Sequence, residues 1–100
     1  MRIKVIVLCL FCFLTSGCLT GRINFEQGIT SFKVQDYRQA FIRLKPEAEN
    51  GQADAQYAVG YMYYYGLGVI EDRKKAWYWI ECAAKKAQPD ALDAVKVLAR

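Results

Sequence analysis

Apolar positions from residue 23 onward fall into five short helical stripes, separated by polar or glycine-bearing breaks. The first stripe covers about residues 23–33. A second begins after Asp36, which stands three residues before Gln39 as in a helix N-terminal capping box. It puts Phe41, Leu44 and Ala48 on one face, with Ala40 beside them. Pro46 falls inside this stretch, and its missing N–H predicts a kink or a fresh helix start there. Gly51 is the kind of residue that closes a helix with a left-handed turn. A third helix is expected over about 53–65, followed by Gly66-Leu67-Gly68-Val69. Gly-x-Gly without a preceding strand is a turn signal rather than a phosphate loop. Asp72 caps a fourth helix over about 73–86, whose stripe is Ala76, Trp79, Ile80, Ala83, Ala84 and Ala87. A fifth starts at Pro89, a favoured first-turn residue, and carries Ala91, Val95 and Leu98.

The second and fourth stripes are related. A shift of 36 residues places Asp36 on Asp72, Ala40 on Ala76, Ala48 on Ala84 and Gln52 on Gln88. It also places Asp54 on Asp90, Ala55 on Ala91, Ala58 on Ala94 and Val59 on Val95, giving 8 identities in 27 positions. Chance at ordinary composition gives about two. A period in the thirties marks a solenoid of helical hairpins, in which each unit buries its faces against the next. The sequence therefore predicts an all-α fold, a short solenoid of about two hairpins plus a closing helix. Ala55, Gly60, Ala76, Ala83 and Ala84 allow close backbone approach, and Tyr63 and Trp79 fill the remaining space. So small an array is expected to be marginally stable, which favours a partner or self-association.

Ala55, Gly60, Tyr63, Gly66, Gly68, Val69, Asp72, Lys75, Ala76, Trp79, Ala83, Ala84 and Ala91 carry a family resemblance. In type and spacing they resemble the Sel1-like repeat, a relative of the tetratricopeptide repeat with a longer turn inside the hairpin. Val59 stands where the family has leucine. Ala87 stands where it has glycine, so the end of the fourth helix is expected to fray or continue differently. Gly28 and Ala40 are four residues closer in sequence than Gly60 and Ala76, the spacing of an ordinary tetratricopeptide hairpin. The expected organisation is a degenerate hairpin over 23–51, a Sel1-like repeat over 52–87 and a closing helix over 88–100.

Residues 1–17 look like an export signal. Arg2 and Lys4 precede ten uncharged apolar residues, Val5 to Leu14, too few for a spanning helix of roughly 20. The exit Leu14-Thr15-Ser16-Gly17-Cys18 resembles the lipobox of bacterial lipoproteins. The resemblance implies cleavage between Gly17 and Cys18, lipid on the Cys18 sulfur and a short lipidated tether over 18–22. Leu19 after the cysteine implies sorting to the outer membrane, facing the periplasm. The alternative is an ordinary cleaved signal that leaves Cys18 unmodified. Of four cysteines, Cys9 and Cys12 leave with the signal, so the mature chain keeps Cys18 and Cys82. With lipid on Cys18, Cys82 has no partner and is expected to be a small buried hydrophobe. Without lipid, a bridge between the two becomes available.

Composition limits the chemistry. The chain has 14 basic and 10 acidic residues and no histidine. Histidine is the commonest general base and metal ligand, and Cys82 lies mid-helix with nothing to activate it. No enzyme, no metal site, no cofactor and no small-molecule substrate are expected. Charges are mixed apart from Arg73-Lys74-Lys75, which is no nucleic-acid footprint. That cluster is either a solvated face or a contact for an acidic partner or lipid headgroups.

The aromatic residues are the candidate site. Tyr57, Tyr61 and Tyr64 recur at helical spacing on a different face from Ala55, Val59 and Met62, so the third helix is apolar nearly all round. Either the tyrosines grip a protein partner from the concave surface, or they are packed against the first helix on Phe25 and Phe32. Trp77 and Tyr78 flank the Trp79 stripe as a second candidate edge. The expected function is a non-catalytic protein–protein interaction module, an adaptor or scaffold for an unidentified protein, joined to the membrane by its lipid. The alternative is an immunity or inhibitor lipoprotein that plugs a secreted toxin enzyme.

Overall fold

A computed structural model describes residues 21–98. The leader over 1–17, the Gly17–Cys18 junction and the first part of the tether lie outside the described residues, as does the Leu98 side chain. The described residues form five α-helices: α1 over residues 21–33, α2 Tyr37–Glu49, α3 Ala53–Tyr65, α4 Arg73–Lys85 and α5 Pro89–Leu98. Residues 21 and 22 are already helical, so α1 takes two residues that the sequence assigned to the tether.

Equivalent residues start the helices. At the head of α2, Asp36 Oδ1 accepts from the Gln39 N–H at 3.4 Å; at the head of α4, Asp72 Oδ1 accepts from the Lys75 N–H at 3.1 Å. Each satisfies one of the donors that a helix N-terminus leaves unpaired. Gln88 does the same for α5 with a longer side chain, accepting from the Ala91 N–H at 2.6 Å.

The helix ends are equivalent too. After α2, the Gly51 N–H donates to the Ala48 carbonyl and the Gln52 N–H to the Glu47 carbonyl, with Gly51 at φ +98°. This paired closure is a Schellman motif. The same two bonds close α1 around Gln35, at φ +65°, and α4 around Ala87, at φ +61°. The fourth helix therefore neither frays nor continues: Ala87 adopts the glycine conformation without being glycine. An L-residue there costs roughly 1–2 kcal/mol, partly offset by the greater freedom that glycine has when unfolded. Ala87→Gly should therefore stabilise the protein by about 0.5–1 kcal/mol, seen as a higher denaturation midpoint at unchanged denaturant slope. A lower midpoint would show that the left-handed turn is not strained.

Successive helices pack as antiparallel neighbours, α3 against both α2 and α4, and α4 against α5. Glycines mark the close crossings. A Cβ on Gly28 would come within 2.7 Å of Leu44, and one on Gly60 within 2.7 Å of Ile80. Leu44 and Ile80 are equivalent in the 36-residue register, and both are buried. The degenerate first hairpin thus crosses at the same place as the second. Asn24 adds a polar clamp between α1 and α2, donating to the Arg43 carbonyl at 2.8 Å and to the buried Glu47 carboxylate at 3.1 Å.

The core contains Ala40, Leu44, Ala48, Ala55, Val59, Met62, Tyr63 and Ala76, with Ile80, Ala83 and Ala91 continuing it toward α5. Several expectations are corrected. Pro46 does not start a fresh helix; α2 runs unbroken from Tyr37 to Glu49 with Pro46 inside it. Pro46 sits near the C-terminal end on an exposed face with Ile42, so the Ile42 carbonyl it leaves without a helical donor is close to water. Trp79 and Ala84 pack half-buried against the core as the stripe predicts, whereas Ala87 is exposed at the turn rather than part of the stripe. Cys82 is a free thiol and half-buried, not a core residue. Glu47 and Gln56 are buried, which their polarity did not suggest; the Gln56 amide donates to the Ala48 carbonyl at 3.1 Å.

Candidate functional site

Helix α3 divides its tyrosines between two surroundings. Tyr63 is buried in the seam with α2, its ring edge-on to Phe41 at 5.5 Å, and the Lys75 ammonium lies 5.6 Å from its centre. Tyr57, Tyr61 and Tyr64 point to another side and stay half-buried, and Tyr65 is exposed. Their rings form a chain. Tyr61 stands 6.2 Å from Tyr57 and 4.8 Å from Tyr65, and Tyr65 stands 4.9 Å from Tyr64. Phe32 of α1 meets Tyr61 edge-on at 6.0 Å, which joins the chain to the neighbouring hairpin. Such edge and tilted contacts are the arrangements that aromatic pairs prefer.

Two grooves flank this chain. One of about 370 Å³ lies between α1 and α3, walled by Phe25, Ile29 and Phe32 opposite Tyr57, Ala58 and Tyr61. The other, about 310 Å³, lies between α3 and α5, where Tyr64, Tyr65 and Ile80 face Asp93, Ala94 and Val97. Tyr57, Tyr61 and Asp90 border both. Helices α1, α3 and α5 are the first helices of successive hairpins, so this is the surface that the repeat presents again and again. Of the two alternatives the sequence posed, packing on α1 is present, and it leaves the tyrosines half-buried. Tyr61 rests on Phe32 and still borders both grooves.

The other sequence candidates lie elsewhere. Trp77 is half-buried and Tyr78 is 60% exposed on α4, with the Tyr78 ring 5.1 Å from Trp79. Neither lines either groove, so the structure does not bring them to the tyrosine face. The basic cluster is partly tied down: Arg73 stacks over Tyr64 at 3.7 Å and pairs with Glu71 at 3.0 Å.

Sequence reasoning missed the carboxylates. Asp54 and Asp90 share the Gln88 amide, which donates to Asp54 Oδ1 at 3.2 Å and to Asp90 Oδ2 at 3.4 Å. The signal was present, because Asp54 and Asp90 are equivalent in the repeat and so fall on the same side of α3 and α5. Burial first, and the Asp90 carboxylate second, push the Tyr57 phenol above its ordinary value. The phenol is therefore neutral at physiological pH and able to donate a hydrogen bond. What the arrangement offers is apolar area, phenol donors and carboxylate acceptors. Among the described residues no three His, Cys, Asp or Glu side chains come together as a metal site, and no helix is long and apolar enough to cross a membrane.

Comparison with known proteins fits this architecture. Residues 53–87, from the start of α3 to the left-handed turn after α4, match the Sel1 repeat family. The repeat-defining residues Ala55, Gly60, Tyr63, Gly66, Gly68, Asp72, Ala76, Trp79, Ala83 and Ala84 all lie within that span. The chain is also similar to the ERAD-associated E3 ubiquitin-protein ligase component HRD3A of Arabidopsis thaliana, 37% identical over 51 residues. That alignment takes in 50% of this chain and 8% of the plant protein. No solved structure matches the chain. Sel1 repeats are non-catalytic modules that mediate protein–protein interaction.

Proposed function

We propose that this protein is a protein-interaction module held at a bacterial cell envelope by lipid on Cys18, with the surface of α1, α3 and α5 as its binding face. The observation that carries the interaction reading is the half-buried tyrosine chain with an open groove on each side. Tyrosines anchor protein interfaces because they bring large contact area and a polar tip at low entropic cost. The location rests on the basic start, the short apolar run and the Ser16-Gly17-Cys18 exit. Leu19 points to the outer membrane, facing the periplasm. Residues 19 and 20 alone separate Cys18 from residue 21 of α1, a reach of about 10 Å. The binding face thus works close to the bilayer, where an adaptor for envelope proteins meets its partners.

Two measurements test this. Replacing Tyr61 with a photo-crosslinking phenylalanine should yield a discrete covalent adduct in whole cells, whereas the same group at exposed Lys85 should not. Equal labelling at both sites, or at neither, would remove the surface of α1, α3 and α5 from the proposal. For the anchor, Cys18→Ser should abolish fatty-acid incorporation and release the protein from membranes. A lipoprotein's several acyl chains hold stably where one chain is marginal. A wild type that takes up no labelled fatty acid would end the lipoprotein assignment and leave the interaction face standing.

A further inference from the structure

We propose that the partner's contact segment is a cationic, amphipathic peptide, whose apolar side chains enter the two grooves while a lysine or arginine between them meets Tyr57, Tyr61 and Asp90. This rests on the interaction reading above and adds the chemistry of the occupant.

The first argument is charge placement. Without Arg2 and Lys4 of the leader, the chain keeps 12 basic and 10 acidic residues, a formal charge of +2. Yet the ionisable side chains at the grooves, phenols aside, are Asp54, Asp90 and Asp93, and no lysine or arginine lines either one. The ion pairs among the described residues are Arg22–Glu26, Lys45–Glu49 and Arg73–Glu71, none of which involves these aspartates, and Asp54 and Asp90 accept from the neutral Gln88 amide. The face inverts the sign of the molecule that bears it. Acidic peptides, phosphates and nucleic acids would be repelled there.

The second argument is independent of the aspartates. Arg73 already lies 3.7 Å over the ring of Tyr64, a wall of the α3–α5 groove. This is an internal example of the contact proposed, a guanidinium on a tyrosine of this face. Tyr57 and Tyr61 border both grooves beside Asp90, so a cation there would meet phenol rings with a carboxylate added.

Geometry completes the match. Asp90 borders both grooves and Asp93 lies one helical turn further along α5. Cations about one turn apart on a helical peptide, with apolar residues between, would follow that line. Burial first and the Asp90 carboxylate second raise the Tyr57 pKa, in keeping with a carboxylate near this phenol.

The test uses full-length protein in nonionic detergent and two labelled peptides read by fluorescence anisotropy. One carries three copies of Leu-Lys-Lys-Leu, the other three copies of Leu-Glu-Glu-Leu. The lysine peptide should bind, weakening as salt rises, and the glutamate peptide should not. Asp90→Asn with Asp93→Asn should weaken binding at least tenfold. Asp93→Asn alone should weaken it several-fold with the melting temperature unchanged, which separates the effect from any loss of α5. Lys85→Gln should change nothing. Failure of the lysine peptide to bind, equal binding of both peptides, or indifference to the aspartate variants would overturn the proposal. An adduct at Tyr61 would meanwhile keep the face itself. A dimer that forms without peptide, and that Asp90→Asn with Asp93→Asn dissolves, would overturn it in favour of a second copy of this chain.

Discussion

Ala76→Asp is expected to unfold the protein. Ala76 is fully buried where α3 crosses α4, and a Cβ on Gly60 would fall 3.0 Å from its carbonyl oxygen. The two backbones approach there with no space for another side chain. An aspartate would force them apart or bury a carboxylate without a cation, at a cost of several kcal/mol. A domain of this size has about 5 kcal/mol to lose. The measurement is helical circular dichroism with a thermal melt, beside Lys85→Asp on the exposed face of the same helix. Lys85→Asp should shift the melt little. Ala84→Asp should fall between them, because Ala84 is only half-buried. Equal tolerance at all three positions would show that α4 does not present this face to α3.

The second large effect comes from a residue that burial alone would pass over. Gly68 is exposed, yet a Cβ there would lie 2.5 Å from the Tyr37 carbonyl oxygen, 2.6 Å from its carbon and 2.8 Å from the Arg38 nitrogen. All three are backbone atoms at the head of α2, so no side chain can swing aside. The residue also sits at φ +71°. Gly68→Ala therefore combines left-handed strain, roughly 1–2 kcal/mol, with displacement of the long turn from the neighbouring hairpin. We expect a total loss of about 3 kcal/mol or more. Gly66→Ala is the control. Gly66 has φ +68°, but its Cβ would come no closer than 3.3 Å, to the Glu71 side chain. Strain alone should then cost about 1 kcal/mol. Denaturant midpoints of the two variants should differ clearly. Equal losses would show that the turn does not bear on α2.

These two sites show how the chain divides its information. Local signals determined the helices. Asp36 and Asp72 cap where their spacing predicted, Gly51 closes α2, and Pro89 opens α5. Such signals act within one or two turns, so nothing distant is needed to interpret them. The 36-residue register went further. It related Leu44 to Ile80 and Asp54 to Asp90, which the fold then placed at equivalent crossings and on one common surface.

Tertiary structure decided what the pattern left open. Helix α3 is apolar nearly all round, and periodicity cannot say which part of a continuous apolar surface is covered. The answer depends on how many neighbours a helix has. Neighbouring α2 and α4 bury Ala55, Val59, Met62 and Tyr63, while α1 and α5 meet the tyrosine side only at its margins and leave the grooves open. The candidate site was legible as tyrosines set against Phe25 and Phe32 of α1 but not as grooves with carboxylates, because those come from α3 and α5 together. The backbone contact of Gly68 with Tyr37 was likewise out of reach, since the two are 31 positions apart in sequence. Left-handed Ala87 was hidden for the opposite reason. Its own preference argues against that conformation, and the pairing of its neighbours' backbone bonds imposes it. The sequence by itself thus determined the helices, their caps and their repeat, because those depend on residues a few positions apart. Which faces are covered, which backbones touch and which charges gather depend on groups that only folding brings together.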